Sequence, residues 1–272
     1  MFKYLKSFLQ AWADYPLEKG SSIGKRYRII AQIGVGSYGI TYRCRDEQEQ
    51  QIVAVKQAKP SKKGIGQKML AWEREVISQL EHPFIPACRD YFSENRSYWL
   101  VTDYVEGKTL EDLIFADSRT FGEQDTVKWT LELMERVQYV HSKGFVHLDI
   151  RIPNVIMRGE DLYLIDFGLA APIGGNDTAA RQQTQTGFNS VTPSKPATIQ
   201  GDLFDIGHLM LFMLYSRFNP TSGAAEGNWM EELELSPQLE LILIRLLGEG
   251  VPYQSTSEFV SELSASLPGL KS

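Results

Sequence analysis

The chain has 272 residues, 43% hydrophobic and 23% charged, with a formal net charge of -6. That length suits one large domain or two ordinary lobes, and the acidic balance argues against nucleic acid as a partner and against general affinity for an anionic membrane. Two cysteines, Cys44 and Cys88, make no disulfide framework, no run reaches the ~18 apolar residues of a membrane span, and the first residues form a poor secretory leader, so a cytoplasmic location is expected.

Phe2, Leu5, Phe8, Leu9 and Trp12 recur at helical spacing, so residues 1–14 read as a short amphipathic helix within an extension of residues 1–20. Docking on the body of the protein is one reading; contact with a membrane surface or a partner is the other. Pro16 and Gly20 then suggest a linker. From Tyr27 to Lys56 the runs YRIIAQIG, ITYRCR and QIVAVK are β-rich and separated by glycines or the polar turn DEQEQQ. GQKMLAWEREVISQLEH reads as a helix, and YFSENRSYWLVTDYV as two strands around a polar turn. After Gly107 the pattern becomes helical, with TVKWTLELMERVQYVHSKG, DIGHLMLFMLYS and LELILIRLLGEG as amphipathic or apolar helices. The segment of residues 171–200 is polar and long for a loop. A strand-rich part therefore precedes a helix-rich part, which predicts an α+β, two-lobed fold.

Gly34, Gly36 and Gly39 stand in G-x-G-x-x-G spacing. A dinucleotide-binding turn would need a helix directly afterwards. ITYRC follows instead, so a glycine-rich hairpin able to approach phosphates, or an ordinary glycine turn, fits better. Lys56 closes an apolar strand. Val76, Ile77 and Leu80 lie three, four and seven residues after Glu73, which places that carboxylate on the apolar stripe of its helix. A buried carboxylate calls for a cation, and Lys56 is the nearest candidate; the alternative is a stripe-edge Glu reaching water.

With these features in order, and with H-x-D-x-x-x-x-N at 147–154, D-F-G at 166–168 and DLFDIG at 202–207, residues 27–265 resemble the protein kinase family. The resemblance implies a bilobal fold with an N-lobe at 27–105 and a C-lobe at 106–268. It implies an ATP- and Mg²⁺-dependent activity on a protein substrate, of the serine/threonine type. It implies nucleotide contacts from Ile33, Gly34, Val35, Gly36, Ser37, Tyr38, Gly39, Ile40 and Thr41, with Lys56 on the phosphates and paired to Glu73. Ala54 and Ile156 would flank the adenine, beside Thr102 and the hinge residues Asp103, Tyr104 and Val105. Asp149 would accept the substrate hydroxyl proton, and Asn154 and Asp166 would hold Mg²⁺. Ile77, Cys88, His147 and Phe167 would be internal packing residues.

Three departures stand out. Leu148 replaces the Arg that in many relatives binds an activation-loop phosphate, so activity without loop phosphorylation is expected even if Thr184, Thr186 or Thr192 is modified. Arg151 replaces a Lys that contacts the transferred phosphate, keeping the charge in a forked group. No A-P-E triplet lies between Asp166 and Asp202, and Gln254 stands where its Arg partner would be. The competing readings are a kinase-fold enzyme acting on a small molecule and a catalytically inactive scaffold.

Overall fold

The computed structural model describes residues 14–175, 196–218 and 227–271. Most of the amphipathic stretch at 1–14 and of the polar segment at 171–200, with Thr184, Thr186 and Thr192, lies outside them. The described chain divides into two compact units: residues 14–105 with 167–169, and residues 106–166, 170–175, 196–218 and 227–271.

The first unit is built on a six-stranded antiparallel sheet of order β1-β2-β3-β4-β6-β5. Its strands are β1 (Ser22–Ile23), β2 (Tyr27–Val35), β3 (Gly39–Asp46), β4 (Ile52–Ala58), β5 (Cys88–Glu94) and β6 (Ser97–Asp103). Alternation of side chains sends Ile29, Tyr42, Cys44, Val53, Val55 and Val101 to one face, where they form a buried cluster. Residues of the opposite face stand abreast across the ladder. Arg43, Ala54, Thr102 and Cys88 form one row; Thr41, Lys56, Leu100 and Tyr91 form the next. The β5–β6 hairpin closes through Asn95 and Arg96, both at positive φ (49° and 64°), the backbone of a type I′ turn.

Between β4 and β5 runs α1 (Lys63–Ile77), entered through a 3-10 turn at Pro60–Lys62. It stops before the expected His82. Ser78, Gln79 and Leu80 donate their amides to Arg74, Val76 and Ile77, tightening the last turn. Pro83 disfavours helical backbone at the residue before it. Glu73, Val76, Ile77 and Leu80 are buried while Glu75, Ser78 and Gln79 are exposed, as the stripe predicted.

In the second unit α2 (Glu123–Ser142) packs against α3 (Ile199–Tyr215) and α6 (Thr256–Ser266). Val127, Leu133, Met134, Val137 and Val140 form its buried stripe. Two short helices, α4 (Trp229–Glu232) and α5 (Pro237–Leu246), lie between α3 and α6 in sequence. Small sheets pair β9 (Val155–Arg158) with β7 (Lys108–Thr109) and β10 (Asp161–Leu164), and β8 (Phe145–Val146) with β11 (Ala171–Pro172). Helix α3 begins six residues before the apolar run that predicted it, so Asp202 lies in its first turn. Arg245 of α5 pairs with Glu258 and Glu262 of α6 and sits 3.8 Å from the centre of the Tyr253 ring. Among the described residues no helix is long and apolar enough to cross a membrane.

Candidate active site

In the first unit the glycines turn the β2–β3 hairpin. Gly34 pairs with Thr41, Val35 with Ile40, and the Gly36 amide donates to the Gly39 carbonyl at 2.9 Å. Gly39 lies in close approach: an added Cβ would fall 3.0 Å from the Gln57 carbonyl oxygen and 3.3 Å from Lys56 Cε, so that a side chain there would push its neighbours. Ile33 and Val35 are exposed, whereas Ile40 turns into the sheet core and leaves only its backbone for a nucleotide. Lys56 Nζ donates to Glu73 Oε2 at 2.7 Å, so the buried carboxylate has the cation that its position demanded.

Ala54 and Thr102 share a row of the sheet with Arg43, whose guanidinium lies 4.9 Å from the Tyr104 ring centre. Val105 is buried. Asp103 accepts from the Ala87 amide and from Arg89 Nε. Phe167 and Ile77 are buried, but Cys88, expected in the core, is only partly so. It starts β5 at the sheet edge; burial still pushes its thiol pKa up, against reactivity.

In the second unit the loop 147–154 is held by buried acids of α3. Asp202 Oδ2 accepts the His147 amide at 2.9 Å and Oδ1 the Leu148 amide at 2.6 Å, while His141 Nε2 lies 2.7 Å away. Asp205 accepts the Ile150 amide at 3.3 Å. Leu148 is left-handed (φ 62°), a strain of about 1–2 kcal/mol for a residue with a Cβ. Hydrogen bonds to a charged group, worth about 1.5–3 kcal/mol each, outweigh it. The Leu148 side chain is buried with Val146, Ala171 and Ala197. Gly201 makes room for it, since a Cβ there would fall 2.8 Å from Leu148 Cδ2.

The chemistry-bearing groups follow. Arg151 Nε reaches Asp149 Oδ1 at 2.8 Å, and Asn154 Nδ2 donates to Asp149 Oδ2 at 2.8 Å and to its carbonyl at 2.9 Å. Burial raises the Asp149 pKa above its ordinary value; Arg151 opposes this, and the neighbouring Asp166 carboxylate adds to it. Asp166 is left-handed (φ 65°). Ile156 lies on β9, opposite Thr109 of β7 and Tyr163 of β10. His147 is buried, as expected of a packing residue: Nδ1 accepts the Asp149 amide and Nε2 faces the Ile165 carbonyl at 3.1 Å.

Asp202 and Asp205 had no assigned role in the sequence reading. Their signal was present: two carboxylates three apart in an apolar helix share a face and must find donors.

A sequence model of the protein kinase domain matches residues 27–267. The chain is 32% identical over 267 residues to the probable serine/threonine-protein kinase YbdM of Bacillus subtilis, covering 97% of each. It is 26% identical to serine/threonine-protein kinase D of Synechocystis, where it spans 50% of the relative. Among solved structures, the kinase domain of Mycobacterium tuberculosis PknI superposes with a TM-score of 0.68 at 18% identity, covering 92% of this chain and 99% of that one. The chain belongs to the protein kinase family, as a serine/threonine protein kinase.

Proposed function

We propose that the enzyme transfers the γ-phosphoryl group of Mg²⁺-bound ATP to a serine or threonine hydroxyl of a protein, and that it does so without prior phosphorylation of its 176–195 segment. The observation that carries this reading is the Asp149 carboxylate, set by Arg151 and Asn154 in the same unit as Asp166. Asp149 orients the acceptor hydroxyl and takes its proton as the oxygen attacks phosphorus in line with the departing ADP oxygen. Arg151 holds the carboxylate and offers its remaining donors to the incoming phosphoryl oxygens. In the first unit Lys56, positioned by Glu73, meets the phosphates beneath the glycine hairpin, whose backbone approaches them closely.

The residues suit magnesium. Asn154 turns its amide nitrogen to Asp149, leaving its oxygen, a hard ligand, for a cation alongside Asp166. Among the described residues no three His, Cys, Asp or Glu side chains form a cage. Mg²⁺ needs no more than one or two protein groups where substrate phosphates complete its shell. When bound, Mg²⁺ supplies neutralisation of phosphate charge.

Independence from loop phosphorylation is supported by Leu148, a buried apolar side chain where a phosphate-binding cation would be needed. Phosphatase-treated enzyme is expected to keep its rate of γ-phosphoryl transfer to a generic protein substrate. Loss of that rate, with recovery on rephosphorylation, would overturn the independence.

A further inference from the structure

We infer that Asp14, outside the strands and helices of the fold, is a positioning residue for the Lys56–Glu73 pair, acting through the entry of α1. The inference rests on the role proposed for that pair.

Helix α1 begins poorly on its own. Lys62 at its N-cap position makes no side-chain capping bond, and no acidic residue stands in its first turn. The preceding 3-10 turn has none either. The missing acceptor comes from 47 residues earlier in the chain. Asp14 Oδ1 accepts the Ser61 amide at 2.9 Å, and Asp14 Oδ2 accepts the Ser61 hydroxyl at 2.5 Å. A carboxylate at this end satisfies the amide of Ser61 in the entry turn and complements the dipole of the helix that follows.

Asp14 is itself fastened to the sheet that carries Lys56. Three residues on, the Leu17 amide donates to the Tyr42 hydroxyl at 3.0 Å. That buried hydroxyl lies 3.3 Å from Gln57 Oε1, on the residue after Lys56. The strap of residues 14–17 therefore joins the Lys56 strand to the start of the Glu73 helix. Glu73 lies twelve residues beyond Ser61, so at about 1.5 Å per residue the helix is a lever of roughly 18 Å. The same entry segment also grips the glycine hairpin: the Lys59 amide donates to the Tyr38 carbonyl at 2.8 Å, and Lys62 Nζ lies 5.5 Å from the Tyr38 ring centre. One carboxylate thus restrains a junction that serves both the pair and the hairpin.

The experiment is a double-mutant cycle on the full chain, read as kcat and KM for ATP. Asp14→Ala is expected to lower kcat/KM about five- to tenfold, mainly through KM, as for a lost cap. Asp14→Asn keeps an acceptor for the Ser61 amide and is expected to stay within about threefold of wild type. It serves as the readable variant if Asp14→Ala does not fold, with Ser61→Ala then supplying the loss. In a Glu73→Gln background, Asp14→Ala should cost clearly less than in wild type, because the pair it positions is already gone and only the hairpin contact is left to lose. The inference is overturned if Glu73→Gln is impaired while Asp14→Ala and Ser61→Ala keep wild-type kinetics. It is equally overturned if the Asp14 loss is the same in both backgrounds, which would mark a merely structural cap. A fully active Glu73→Gln would instead sink the role of the pair itself.

Discussion

Asp149 occupies a position that favours its neutral form, whereas the role proposed for it as base needs the charged one. Burial and Asp166 push its pKa up, and Arg151 pulls it down. Because the folded pKa is raised, the base form is reached only at higher pH, and the acidic limb of kcat/KM, which reports the free enzyme, should lie above the ordinary carboxylate range. Removing the Arg151 charge in Arg151→Met should move that limb to still higher pH; a limb that stays put or moves down would contradict the coupling. The same sign governs stability. A carboxyl with a raised folded pKa favours folding while protonated, and this advantage is lost as pH rises through the unfolded and then the folded pKa. At neutral pH the ionised side chain costs stability, so Asp149→Asn should melt at the same temperature as wild type or higher. A substantially lower Tm would show that the carboxylate holds the loop together.

At the scale of elements, α3 and the loop it holds explain why Leu148 is not a neutral replacement. The side chain is packed against Val146, Ala171 and Ala197, with Gly201 closing the pocket. Leu148→Arg would bury a cation in that pocket or force it out through the packing, and urea denaturation should show a loss of about 2–4 kcal/mol. A variant as stable as wild type would mean that the pocket opens freely. Asp202→Asn should cost at least about 2 kcal/mol on the same measurement, since one acceptor oxygen becomes a donor facing an amide. The long helices and the strands of the first sheet were legible because hydrophobic spacing reports them directly, and Glu73 was legible as a charge on a buried stripe; the short strands β7–β11 and helices α4 and α6, with too few residues or too weak a pattern, were not. The ends of α1 and α3 were not, because they depend on i→i−3 bonds, Pro83 and a buried Asp202 that binds a distant loop. The Asp14 contacts, with the Ser61 amide and hydroxyl, span 47 residues and leave no periodic trace.

At the scale of the whole molecule, the order of motifs carried the family assignment, and the match from 27 to 267 agrees with the extent read from those motifs. Order along the chain says which chemistry is assembled but not how charges are settled; that needed the Lys56–Glu73 distance and the contacts of Asp149. Saturating Mg²⁺ and ATP, at about 100 times Kd, should stabilise the folded chain by about 2.7 kcal/mol and raise Tm. Lys56→Met should lose much of that rise; an undiminished rise would remove Lys56 from the nucleotide site. The most direct measurement is incorporation of label from γ-labelled ATP, with Mg²⁺, into serine and threonine of a generic protein substrate by wild type and by Asp149→Asn. Wild type should transfer label and Asp149→Asn should fall by about 10²–10⁴-fold while still showing the ATP-induced rise in Tm. Equal, background-level transfer by both proteins would contradict the assignment of Asp149 as the base of a working kinase.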